Sequence, residues 1–470
     1  MKIERNLITK LSKSYAIPIA IVTIILLSLV LFHLARMTSN RNLESDITDY
    51  PAISFGEHDR ILIIAPHPDD EVLANSSVVI KGREAGATIK VMFVTFGEHN
   101  TSTLAKFLFF PSPLTADLLA ARRHREAINA AKVLKLSEND LIFLGFPDFG
   151  TLKIWDNNFS ERPYIAGIDI HDKTFYSGVY KKGVPFTAIE ELKLFEEVIS
   201  SYKPTKIFYP STFDLNPDHR ASGLFTEAAF YDLKGNIRPE VYTYFVHSES
   251  WPEPVGYYPN FFLSPPSYFI NFEGNWSSIN LSEDEEMLKY KADRTHVSQY
   301  WTKPRFMASF VRKNELFLTN YKYKIGLELP LWTREEMQKL KITPFIEGMS
   351  VSEADDFFEF NLTLYKGVPV FSKIILFVYP EIKDKSFLDS PKYKVVLTRE
   401  ARKNIKIILI DRGNIIETEK DNISGISNEV IFKIDMSKEH FVDCEGFFCS
   451  VYIEEAEHRV SETPWWFINL

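Results

Sequence analysis

The chain runs to 470 residues, more than one ordinary hydrophobic core accommodates, so two folded units are expected. A formal net charge of −9 gives no basis for nucleic acid as a partner. Only two cysteines occur, Cys444 and Cys449, too few for a structural zinc knuckle, while the 14% aromatic content suits well-filled cores or sugar-stacking surfaces.

Residues 1–15 carry Lys2, Arg5, Lys10 and Lys13, and residues 16–35 are almost wholly apolar. About 20 such residues match the hydrocarbon thickness of a bilayer, and the cations ahead of them keep the N-terminus cytoplasmic. A single-pass membrane anchor is expected, with everything after Arg36 outside the cytoplasm. The rival is a cleaved signal peptide, which has a shorter apolar run and a better cleavage site than His33-Leu34-Ala35. Residues 36–58 read as a polar stalk.

The segment 59–325 alternates two textures. Strands are expected at 60–65, 88–96, 141–144, 206–209 and 241–246, and helices at 71–85, 116–136, 188–202 and 219–233. That rhythm predicts an α/β fold: a doubly wound, mostly parallel, Rossmann-like sheet. Residues 155–185 interrupt it with the composition of a lid or substrate wall. A further helix is expected over 281–311, opened by a Ser282/Glu285 capping box. After a linker at 326–349, the segment 350–470 changes character. Runs at 357–365, 372–379, 393–397, 405–411, 429–434 and 447–454 predict an all-β, sandwich-like accessory domain. Within it, a turn at Glu445-Gly446 is expected to let Cys444 and Cys449 close a hairpin disulfide in an oxidising compartment.

Two strand ends concentrate the chemistry. The apolar run Ile61–Ala65 breaks into Pro66-His67-Pro68-Asp69-Asp70-Glu71, where a buried strand gives way to a helix. Ligands of open α/β sheets bind at such carboxyl ends. Carboxylates crowded there repel one another and lose hydration, a conflict that a bound cation resolves. The run Lys206–Pro210 ends the same way, in a loop holding Asp214, Asn216, Asp218 and His219. Facing each other across a sheet edge, the two loops offer two imidazoles and a carboxylate. That is the donor set of catalytic zinc, although Fe2+, Mn2+ or Co2+ suits the same ligands.

These motifs resemble those of the PIG-L/LmbE-like N-acetylglucosaminyl deacetylases. The family's first signature stands here as Pro66–Glu71, and its second, usually ending His-x-Asp-His, as Asn216-Pro217-Asp218-His219. Weaker echoes at 95–98, 122–127 and 144–148 follow in the right order. The resemblance covers residues 60–246 and implies a metal-dependent amide hydrolase. It implies His67, Asp70 and His219 as metal ligands and Asp69 as general base for a metal-bound water. Arg123 and Asp148 would grip sugar hydroxyls, with Arg122 or Arg125 as alternatives to Arg123. Asp218 is expected to orient a neighbouring ring or substrate group.

One position departs from the family pattern, because Asn216 stands where many relatives carry a histidine. An amide N–H donates to an oxyanion, a role worth roughly 3 kcal/mol elsewhere, but it cannot act as an acid. The leaving amine's proton then falls to Asp69 or to His247, which ends a strand on the same edge. His296 and Gln299 are weaker candidates, and His99 and His171 read as ordinary loop residues. The expectation is zinc-dependent deacetylation of an N-acetylated amino sugar in a lipid-linked or exported glycan near the membrane. A metallohydrolase of another amide, such as a thiol–sugar conjugate, and an inactive glycan-binding relative are the alternatives.

Overall fold

Strands β1 (Arg60–Ala65), β2 (Thr88–Thr95), β3 (Leu141–Phe146), β4 (Lys206–Pro210), β5 (Glu240–Tyr244), β6 (Asn275–Asn280) and β7 (Asn314–Thr319) form the central sheet of the computed structural model. The structure describes Ser28 and Tyr50–Leu470, apart from 108–110, 158, 160, 169, 249–250, 267–274, 320–322, 334–336, 338–345, 355–356, 366–370, 400–404, 412–413, 420–428, 436–442 and 457. Met1–Tyr50 separates as one unit and Pro51–Leu470 as another. The expected anchor and most of the stalk lie outside the described residues. Among those described, no helix is long and apolar enough to cross a membrane.

The sheet order is β3-β2-β1-β4-β5-β7-β6. Strands β1 to β5 pair in parallel, with Ile61 opposite Ile89 on one side and Lys206 on the other. Strands β7 and β6 close one edge in antiparallel fashion. The order reverses between β1 and β4, which makes their carboxyl ends the switch point where such sheets hold ligands.

Residues 61–65 are fully buried because both faces of the sheet are covered. Ile61 and Ile63 join a core with Val78, Ala127 and Ala292, from helices Ser76–Glu84, Pro113–Val133 and Glu283–Asp293. Leu62 and Ile64 point the other way, into a core with Leu192 and Leu224 from helices Ala188–Tyr202 and Pro217–Leu233.

The second core continues without a break into the β-rich part. Trp155 is fully buried and stacks on Phe387, with Phe225 on one side and Phe448 and Trp465 on another. That part contains β8 (Tyr323–Lys324), β9 (Ile346–Ala354), β10 (Phe357–Leu364), β11 (Ser372–Ile382), β12 (Tyr393–Arg399), β13 (Ile405–Asp411), β14 (Asn414–Glu419), β15 (Glu429–Asp435), β16 (Cys444–Glu455), β17 (His458–Glu462) and β18 (Trp466–Asn469). They form one sheet in the order β14-β13-β12-β11-β16-β18-β8, with β17 beside β16, and a second in the order β15-β10-β9.

Three expectations are corrected. Cys444 and Cys449 are both free and lie in the single strand β16, opposite Ile382 and Val378. Five residues of strand span roughly 16 Å, well beyond the ~7 Å between Cα atoms that a disulfide bridges. Gly446 marks a close approach rather than a turn, since a Cβ there would meet the Phe467 ring at 2.6 Å and Ile468 O at 2.7 Å. The single helix expected at 281–311 is three, Glu283–Asp293, Val297–Tyr300 and Pro304–Ala308, although its capping box is present. The described residues of 155–185, expected as a lid or substrate wall, contribute none of the lining of the cleft described below.

Candidate metal centre and active site

The β1 loop brings His67, Asp69 and Asp70 to the sheet edge, and the helix Pro217–Leu233 brings His219 from the β4 side. His67 Nδ1 lies 3.3 Å from Asp70 Oδ2 and 3.3 Å from His219 Nε2, and His219 Nε2 lies 3.1 Å from Asp70 Oδ2. Tetrahedral ligands at ~2.0–2.1 Å from one ion stand ~3.3 Å apart, so this triangle fits a zinc-sized cation. All three side chains are buried.

Each imidazole is backed by carboxylates on its far side. His67 Nε2 bonds Asp218 Oδ2 at 3.2 Å and lies 3.2 Å from Asp148 Oδ1, while His219 Nδ1 lies 3.2 Å from Asp214 Oδ2. Such partners fix the ring orientation and raise the basicity of a metal-binding histidine. Burial opposes the charged form, yet Asp214 and Asp70 push His219 up to about 9. Burial likewise opposes Asp70, and His219 and His67 still hold it well below the usual carboxylate range. The cluster therefore attracts positive charge, which protons or a metal supply.

Asp69 sits beside the triangle with φ of 143°, a conformation costly for a residue with a side chain. Glu71 Oε2 accepts its backbone N–H at 2.8 Å, and Glu71 Oε1 bonds His296 Nε2 at 2.8 Å. Arg123 lies 3.2 Å from Asp69 Oδ1 and donates to Pro68 O and Gly97 O. Gly97 is required there, because it has φ of +65° and a Cβ would fall 2.0 Å from the guanidinium. Burial pushes the Asp69 carboxyl up to about 6 against the pull of Arg123.

A cleft of about 160 Å³ opens over these residues, with Asn216, His247 and Arg123 in its lining. Asn216 caps the helix Pro217–Leu233 by accepting the Asp218 N–H at 2.8 Å, so the amide's remaining polar atoms are its two N–H donors. His247 stacks on Phe306 and meets the His219 ring edge-on, and burial lowers it to about 3. It is neutral at physiological pH.

Residues 62–230 match the family described as PIG-L, GlcNAc-PI de-N-acetylase. They form a PIG-L domain. The probable N-acetyl-alpha-D-glucosaminyl L-malate deacetylase 2 of Bacillus subtilis (strain 168) is 30% identical over 183 residues. That match covers 38% of this chain and 65% of the relative's length. Among solved structures, the N,N'-diacetylchitobiose deacetylase of Pyrococcus horikoshii is 18% identical, covering 56% of this chain and 84% of that one at a TM-score of 0.33. The 4-carboxy-2-hydroxymuconate hydratase GalB of Pseudomonas putida KT2440 is also 18% identical, covering 53% and 82% at 0.33. At those scores neither carries an argument.

Within the PIG-L domain the sequence-predicted residues His67, Asp69, Asp70, Arg123, Asp148, Asn216, Asp218 and His219 converge, and His247 joins them from beyond it. Asp218 orients a ring, that of His67. Arg123 is buried, Arg125 exposed, and Arg122 pairs with Glu126 at 2.9 Å. The Arg123 guanidinium has three protein partners, and one Asp148 oxygen faces His67 while the other accepts the His99 N–H. Three residues were missed. Asp214 backs His219, His99 is a buried partner of Asp148 rather than a plain loop residue, and Glu71 links Asp69 to His296. Their only signal was acidity or an imidazole close to a motif. His171 packs on Phe175 and is not part of the cleft lining.

Proposed function

We propose that the chain hydrolyses the acetyl amide of an N-acetylated amino sugar with zinc. The substrate is a lipid-linked or exported glycan, at a membrane to which residues 16–35 anchor the protein with its catalytic domain outside the cytoplasm. What carries the chemistry is the His67–Asp70–His219 triangle, 3.1–3.3 Å on each side, with a buried carboxylate next to it. A divalent cation held by these three side chains would draw the pKa of a water towards ~7 and polarise the acetyl carbonyl.

The protein's own groups do the rest. Asp69, at about 6, accepts a proton near neutral pH and returns it to the departing amine. Arg123 keeps that carboxylate in place. The Asn216 amide, with its oxygen held by the helix, donates N–H to the carbonyl oxygen as charge grows there. His247 holds no stored proton and offers a hydrogen bond, so the amine's proton is left to Asp69. The β-rich segment 350–470 is an accessory that braces the PIG-L domain. Support for the sugar amide comes from the family match and the Bacillus relative.

The deciding experiment measures acetate released by the full-length protein, with zinc, from N-acetylglucosamine-containing glycans. Release that disappears in Asp69→Ala and His219→Ala is expected. No release from any such glycan, with glycan binding retained, would reduce the protein to a binding module. For the topology, a reporter fused after Leu470 that functions only in the cytoplasm would overturn the assigned orientation.

A further inference from the structure

A second cavity, of about 290 Å³, lies where the PIG-L domain meets the β-rich part and shares no lining residue with the catalytic cleft. The PIG-L domain contributes Tyr209 and Phe230 to its lining, and the β-rich part Phe448 and Phe467. Its charged lining residues, among those described, are two acids, Glu227 and Glu381, with no lysine, arginine or histidine. The Tyr209 hydroxyl donates to Glu227. Glu381 is 6% exposed, and its carboxyl makes no hydrogen bond or ion pair among the described residues. Burial, and the nearby negative charge of Glu227, Asp232 and Glu445, push it well above the carboxylate range, opposed by Lys234 alone. Lys234 is itself engaged by Glu445 and the Tyr231 ring.

A buried acid without a partner is costly, and a cation arriving in the cavity would relieve it. Metal ions of the calcium type need six to eight oxygen ligands around one point, and this lining offers only two carboxylates, its other side-chain oxygens being threonine and tyrosine hydroxyls. An organic ammonium needs what is present: carboxylate oxygens for its N–H groups and aromatic faces for its charge and carbon frame. The volume is at the lower end of the ~300–1,000 Å³ typical of ligand pockets, enough for one ring and not for an oligosaccharide.

We propose that this cavity binds a primary ammonium group carried on a single small ring, an amino sugar, with Glu381 and Glu227 taking the ammonium and the aromatic side chains flanking the ring. That the carrier is a sugar rests on the deacetylase reading, whose product is such an amine; the need for a cation does not.

Calorimetric titration of the full-length protein with glucosamine, N-acetylglucosamine and glucose tests it. In Glu381→Gln the glucosamine affinity should fall at least tenfold, while N-acetylglucosamine binding and acetate release stay unchanged. Glu227→Gln should show the same selective loss, which covers the case in which one variant does not fold. Glucosamine binding that is unaltered in both variants, or matched by glucose, overturns the proposal. Glutamate-dependent glucosamine binding without acetate release would sink the deacetylase reading and leave the cavity standing. Acetate release with no such binding would do the reverse.

Discussion

Arg220 and Glu462 meet at 2.9 Å with both side chains buried, tying the residue after His219 to the C-terminal strands. Arg220 also donates to the carbonyls of Asp214 and Leu215, so the pair holds the loop that carries Asp214. Glu462 is in turn bonded by Arg459, which reaches Asp156. The β-rich part thus braces the loop that leads into the candidate ligand His219. Glu462→Ala leaves a buried guanidinium without its carboxylate, a loss of about 3–5 kcal/mol. Denaturant unfolding should show that loss, and zinc titration a weaker site. Unchanged zinc affinity in a destabilised protein would mean that the brace ends short of the metal loop.

The Glu71–His296 pair sets a second expectation. Glu71 holds the backbone of Asp69 in its strained conformation, and His296 occupies the other Glu71 oxygen. His296→Ala should shift the base without touching substrate contacts, lowering kcat by up to roughly 100-fold with KM little changed. His296→Gln, which keeps a donor for Glu71, should recover part of the rate. A change in KM alone would place His296 in substrate binding instead.

Removing the carboxylate behind a ligating ring should act on metal affinity first. Asp214→Asn keeps one oxygen for the Val246 and His247 N–H groups, at the cost of the oxygen that accepts the Asn216 N–H, and weakens the support of His219. Competition with a chelator is expected to show roughly 10–100-fold weaker zinc binding. Asp218→Asn should do the same through His67. Equal affinities across the three proteins would show these carboxylates to be structural only.

The candidate metal ligands were legible because two of them closely follow one strand end and the third follows another, a pattern the chain writes locally. Asp214 and Glu71 carry no comparable mark. Glu71 acts through His296, 225 residues away, and Asp214 reaches the His219 ring only because the intervening loop folds back, neither of which a spacing rule encodes. The parallel strands showed as apolar runs buried on both faces, whereas β6 and β7, reading Asn-Trp-Ser-Ser-Ile-Asn and Asn-Glu-Leu-Phe-Leu-Thr, lie at the mixed edge and lack that run. The helix expected across 281–311 breaks near His296, where the ring turns in towards Glu71. Glu445-Gly446 has turn composition, yet tertiary packing against Phe467 claimed the glycine for a strand.

Asp293 gives a pH-dependent stability. Both of its carboxylate oxygens are buried without a hydrogen-bond partner. Burial raises it to about 7, with His296 and Lys289 pulling down and Asp69 and Glu71 pushing up. An unfolded aspartate titrates near ~3.9, so between these values the folded state binds the proton and the unfolded state does not. Stability from this group is therefore fully present below about pH 4 and declines as pH rises towards 7, by up to ~1.4 kcal/mol per pH decade. Asp293→Asn removes the term. Denaturant unfolding at pH 5 and pH 8 should show the variant gaining on the parent by a few kcal/mol between the two conditions. A constant difference across that range would mean that Asp293 is ionised throughout and is paired in solution.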